Sequence, residues 1–360
     1  MAIDSPPLLS ALTAWSCAHL SCFHAPYQTP LLNRRGQALR LVATSLSTPA
    51  PSLAFQETLL AATLVLCSLE IIHGDTSSHW LRHLEGAAVI IKNARSGGWD
   101  GERIGAEALR GTSDGEWLLR NFAYHDVLGS VTLGKPPLIR GTYWLGEDER
   151  TGMVDTYMGV GSRILAFISE ASCLQIPSVD VWDSPESRRA FEKKADEIEQ
   201  GLRSWTAPVA IQPGLVELAE AWRGAALIHL YRRKRAYLQT INPTSALLPQ
   251  LARLLQQAAS KTLTHLAEIP SSSLPESGML FPIFLAGGET RDAAEMAAIR
   301  ERMKELGAFR GFRNILKAKD VLEELWRCWG TGVKAGKEAN ERDVRWEDVC
   351  ERRGWVLMLA

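Results

Sequence analysis

His125 and Asp126 are neighbours in the chain and could serve as a general acid–base pair. Adjacent residues on a helix point about 100° apart, so the two would not face one site together. The expectation is that one of them makes a buried hydrogen bond between helices. His83 and Glu85, with Asp75 and Trp80 nearby, form a second polar group. An N-cap with a partner for a buried turn explains it more simply than a ligand site does. Cys17 and Cys22 lie close to His19 and His24, which suggests half of a metal knuckle. No second half with ligand spacing follows. None of the six cysteines (Cys17, Cys22, Cys67, Cys173, Cys328, Cys350) has C-x-x-C spacing, so they are expected to be scattered small hydrophobes, mostly buried. The run Arg232-Arg233-Lys234-Arg235 resembles a nuclear-import or phosphate patch. It falls near the end of an expected helix, where cations suit the dipole, so a solvated helix end is the simpler expectation.

Known catalytic signatures are missing. There is no G-x-S-x-G nucleophile elbow and no G-x-x-x-x-G-K-[ST] phosphate loop. Gly159-Val160-Gly161 begins like a dinucleotide loop, but position 164 is Ile and no strand is expected before it. Neither H-E-x-x-H nor an aspartate-rich helix occurs. No catalytic, cofactor-binding, metal-binding or DNA-binding residue is assigned. The chain is expected not to be an enzyme and to need no cofactor.

The elements that would position these residues are helices. Apolar residues recur at helical period, and no long alternating β-branched run or Asn-Gly or Asp-Gly hairpin turn appears. Helices are expected over 7–23, 31–46, 53–72, 117–133, 151–174, 185–205, 213–238, 246–268, 279–286, 291–306 and 312–329. Another carries Trp80, Leu84, Ala87, Ala88 and Ile91 on one face, with Asp75 as a plausible N-cap, and ends before Gly97-Gly98. Residues 98–115 and 141–151 are expected to be surface loops. No internal repeat appears, and no linker marks a boundary, so one continuous all-α array over 1–360 is expected. Trp80, Trp205, Trp222, Trp326 and Trp329 fall on faces expected to be buried.

Apolar residues make up 46% of the chain, enough for a sizeable core. The 40 basic and 41 acidic residues nearly cancel, which argues against a DNA-binding domain though not against a local basic patch. The greasiest stretch, 59–69, is shorter than the roughly 18–20 apolar residues of a bilayer span and reads as a core helix. The start, Met1 to Pro7, lacks the basic n-region of a signal peptide, so a soluble, intracellular chain without membrane contact is expected.

Three stretches together resemble the fungal-specific transcription factor domain of zinc-cluster (Zn₂Cys₆) regulators, in particular an acriflavine-sensitivity-like subgroup. The first is 59–91, with its leucine-rich helix, Gly-Asp turn, Trp80 and His83-Leu84-Glu85-Gly86-Ala87. The second is 117–138, with Phe122, Tyr124, Asp126 and Val127. The third, 280–326, is the most specific through its spacing of Pro282, Ala286-Gly287, Glu289, Arg300 and Trp326. The tail Trp346-Glu347-Asp348-Val349 and Gly354-Trp355 also resembles the family's end, and the likeness spans about 8–360. It implies an all-helical regulatory domain, nuclear residence, and control of fungal metabolic or secondary-metabolite biosynthetic genes.

The family's DNA-reading element is a short N-terminal cluster of six cysteines holding two zinc ions. None of the six cysteines here has that spacing, so direct DNA binding is not expected of this chain. A small-molecule effector or a protein partner, such as another transcription factor, would carry its action. The alternative is a helical enzyme or accessory protein of a biosynthetic pathway that reuses this fold.

Overall fold

The structure is a computed structural model, and it describes residues 4–48, 52–74, 77–98, 101–146, 159–176, 184–207, 212–334 and 344–360. Its elements are almost entirely helices, so the fold class is all-α. Two antiparallel helices, α1 (Pro6–Ser21) and α2 (Gln28–Leu46), lie against α3 (Leu53–His73). α4 (His79–Lys92) closes another side of α3.

α3 shows why a helix becomes a centre. It is apolar nearly all round, so no single face can stay wet. By length and composition it could cross a membrane, but 72% of its most apolar window is buried by neighbouring helices. Ser52 starts it by accepting the Phe55 N–H, and Gly74 stops it in the left-handed region at φ 74°.

After α4 come a short hairpin, β1 (Arg95–Gly98) with β2 (Gly101–Ile104), and a one-turn helix, α5 (Ala106–Leu109). The expected loop over 98–115 is therefore corrected: it holds a strand, a helix and the start of α6. Four-residue strands are too short for alternation to register, and the glycines masked them. Ala108 and Leu109 of α5 are fully buried. α6 (Ser113–Leu133) begins at Thr112, whose hydroxyl accepts the Gly115 N–H at 2.9 Å and donates to the buried carboxylate of Glu57 on α3.

A second centre forms around α9 (Pro213–Ile241), which packs on α7 (Ser162–Ser172), α8 (Pro185–Ser204), α10 (Leu248–Ala267) and α11 (Leu280–Gly287). α7 starts at Ser162 and not near 151; residues 151–158 lie outside the described residues, as does Asp75. α12 (Ala293–Arg310) and α13 (Arg313–Lys334) follow, and α13 returns to α3, so the two centres are joined through it as well as through α6 and α7. α14 (Trp346–Arg353) precedes a tail that threads back. Trp80 Nε1 donates to the Val356 carbonyl at 3.0 Å, and Asn314 Nδ2 donates to the Ala360 carbonyl at 2.8 Å. Trp80, Trp222, Trp326 and Trp329 are buried as expected, whereas Trp205 is only half-buried.

Gly115 reports how closely α5 sits on α6. A methyl group there would lie 2.1 Å from the Leu109 carbonyl oxygen, which is backbone and cannot swing away. Gly115→Ala is expected to cost about 1–3 kcal/mol of stability by overpacking, read as a lower urea midpoint. An unchanged midpoint would mean that α5 is free to move.

Candidate functional site

The four cations of the run 232–235 point to four different tasks, and none is left at a solvated helix end. α9 continues to Ile241, so the run lies inside the helix. Arg232 is 9% exposed and reaches Glu289 with one guanidinium nitrogen and Glu347 with another. Its guanidinium also lies 5.3 Å from the centre of the Trp346 ring. Arg233 donates to the Leu174 carbonyl. Lys234 pairs with Asp196 at 2.9 Å and Glu199 at 2.7 Å. Arg235 makes two bonds of 3.2 Å to Glu289. Both sequence expectations for the run fail here: all four cations are engaged by groups of the fold.

Glu289 sits in the turn between α11 and α12. Its carboxylate meets Arg232 and Arg235 of α9, and its carbonyl accepts from Gln256 of α10. Two residues earlier, the Gly287 carbonyl accepts Trp326 Nε1 of α13 at 2.9 Å. Arg300 of α12 lies over the other side of this contact, 5.4 Å from the Trp326 ring centre, and pairs with Glu323. Five helices are thus held at one turn. Desolvation works against the Arg232 charge, but Glu347 and Glu289 outweigh it and hold the guanidinium fully protonated.

The sequence-selected acid–base pair is not a site. His125 is buried, and its Nδ1 lies 2.8 Å from the Asn121 carbonyl of its own helix. Asp126 points elsewhere: its two oxygens accept the Leu138 and Ile139 N–H groups at 2.8 and 3.1 Å, which fixes the turn after Pro136-Pro137. Burial raises the Asp126 carboxyl to about 6, against the lowering effect of those two bonds. His83 and Glu85 also part company. His83 Nε2 approaches the buried Glu70 carboxylate at 3.7 Å, while Glu85 faces outward. His19 is taken up by the Arg310 carbonyl at 3.0 Å and by edge contacts with Phe23 and Phe312. Among the described residues no three His, Cys, Asp or Glu side chains gather as a metal would need. All six cysteines are free thiols.

One arrangement was invisible in the sequence. Ser130 Oγ lies 2.9 Å from Ser172 Oγ, which lies 3.0 Å from His229 Nε2, linking α6, α7 and α9. A serine beside a histidine is the geometry of an activated nucleophile. Here all three side chains are buried, and none lines the described clefts. Residues 42 and 57 positions apart share no local signature, so only the fold could bring them together. Burial, reinforced by Arg233 and Arg232, depresses the His229 imidazole to about 3. The arrangement is a neutral hydrogen-bond chain tying three helices.

Open space is found elsewhere. A cleft of about 420 Å³ lies where α2 passes the end of α3 and the start of α13. Another of about 250 Å³ lies between α10, α11 and α12, with Leu263, Leu266 and Ile299 on its floor and Glu301, Arg302 and Glu305 at its rim.

The fold is an all-α array whose buried polar residues tie helices together. The chain belongs to the fungal-specific transcription factor domain family, whose model matches residues 1–360. That family consists of transcription-regulatory domains and is not an enzyme family. No curated protein and no solved structure matches the chain.

Two predictions follow from these contacts. Arg232→Ala leaves the buried Glu289 with Arg235 alone and unties Glu347, and is expected to cost about 1–3 kcal/mol, read as a fall in denaturation midpoint. Arg232→Lys, with one nitrogen, should recover only part of this. The histidines make the fold acid-sensitive. His125 and His229 are held neutral in the fold with lowered pKa values, so their contribution is complete above about 6.5 and falls as pH drops, by about 1.4 kcal/mol per pH unit for each group. Asp126, raised to about 6, opposes this below pH 6 with a single group of opposite slope. Melting temperature should therefore fall between pH 7 and pH 5, and His229→Gln should flatten that fall.

Proposed function

We propose that this chain is the helical regulatory domain of a nuclear fungal transcription regulator that governs metabolic genes, secondary-metabolite biosynthesis among them. The observation that carries the reading is the family match along the whole chain. The structure supports it physically. Its interior polar groups tie helices to one another, and its open spaces lie between helices that meet at their ends or along shallow grooves. Such a body can transmit the binding of a small effector or of a partner transcription factor as a change in helix packing. An effector shifts gene output only through unequal affinity for two arrangements of those helices. Nuclear residence, in this reading, does not use the run 232–235 as an import signal, because its cations are engaged by the fold.

Deleting the gene and measuring transcripts of its chromosomal neighbours under inducing conditions tests the reading. A coordinated rise or fall is expected. Transcripts unchanged under every condition would sink it.

A further inference from the structure

The junction between the two helical centres is lined by cationic as well as apolar side chains. Gly74 ends α3 at positive φ, and a methyl group there would meet Arg313 Cβ at 2.4 Å. The end of α3 therefore butts directly against the first turn of α13. α2 passes beside this junction and leaves the cleft of about 420 Å³, within the range of small-molecule sites.

The cleft has two kinds of wall. Leu31, Leu32 and Leu69 line one part, and Leu32 is 63% exposed. Arg35, Arg313 and Lys317 line the other. The carboxylate in the cleft, Glu70, is 2% exposed and is already bonded to Arg35 at 2.7 Å, with His83 beyond it. Arg313 donates to the Ser21 carbonyl at 3.4 Å and lies beside the Cys22 thiol, and Lys317 lies 4.6 Å from the centre of the Trp355 ring. Neither pairs with a carboxylate among the described residues. Arg35 and Glu70 pair with each other, and Arg313 and Lys317 are cations of the lining without an ion pair among the described residues.

The first turn of α13 contains no acidic residue. A helix start carries partial positive charge and is stabilised by anions, so Arg313 at the first position of α13 works against the dipole. Arg313, Lys317 and the helix start bring positive charge to this wall. Beside it lies the apolar wall. The chemistry that satisfies both is a small organic anion with an apolar body.

We propose that this cleft binds a small amphiphilic carboxylate, with its charge against Arg313 and Lys317 and its apolar body against Leu31, Leu32 and Leu69. The site joins α3 to α13, so its occupant would bear on how the two helical centres sit against each other. That consequence rests on the regulatory reading above, whereas the binding itself does not.

Calorimetric titration of the purified full chain tests it, with octanoate as the probe and octanamide as its uncharged counterpart. Octanoate is expected to bind at least about tenfold more tightly than octanamide and to weaken with added salt. Lys317→Glu should reduce octanoate affinity by about tenfold or more, and Leu32→Glu, at an exposed position that the fold tolerates, should do the same. Lys304→Glu, on an exposed face of α12, should leave it unchanged. Circular dichroism confirms that each variant is folded; if Lys317→Glu does not fold, Leu32→Glu and the salt series decide. No octanoate binding at millimolar concentration, equal binding of octanamide, or affinity indifferent to Leu32→Glu would each overturn the proposal. Because no transcript is measured, a failure here leaves the transcriptional reading standing, and unchanged transcripts in a deletion strain leave this binding result standing.

Discussion

The structure depends on a guanidinium largely withdrawn from water. Arg232 lies inside the second helical centre, and an unpaired charge there would be prohibitively costly. Glu289 and Glu347 make its burial tolerable, and each comes from a different element. The ion pair can form only if the turn after α11 and the first turn of α14 are both in place. Once the turn is fixed, Gly287 and Glu289 offer carbonyls to Trp326 of α13 and Gln256 of α10. A single electrostatic requirement therefore sets the relative positions of helices far apart in sequence. Apolar packing supplies most of the driving force, but it is non-directional and would tolerate several arrangements of these helices.

The same division of labour recurs across the molecule. Glu57, Asp126, His229 and Glu70 are all buried, and each is met by a partner from outside its own helix. These groups fix which helix meets which, and at what register. Open space remains at the junction of α2, α3 and α13 and between α10, α11 and α12.

Some of this was legible in the chain. α3 announced itself by apolar residues on every side, and Gly74 by its position after them. The stretch 280–326 was singled out for the spacing of Pro282, Ala286-Gly287, Glu289, Arg300 and Trp326, and of these Gly287, Glu289, Arg300 and Trp326 lie about the turn that holds five helices. The pattern was visible because close packing at that turn restricts residue type. The basic run was misjudged for the opposite reason. Local sequence showed four adjacent cations and an apparent helix end, but their partners come from the segment after α7, from α8, the α11–α12 turn and α14. The hairpin and α5 were missed because neither is long enough to show a period.

The sequence by itself determined that the chain is helical, which helices are central, where several begin and end, and which family it resembles. These follow from periodicity, capping and side-chain type, all of which act over a few residues. Only the tertiary structure decided which charges are neutralised, that Ser172 meets His229, and that Arg313 and Lys317 share a cleft with an apolar wall. Those outcomes depend on contacts between residues tens to hundreds of positions apart. No local rule encodes such distances, because they are set by how the helices pack against one another.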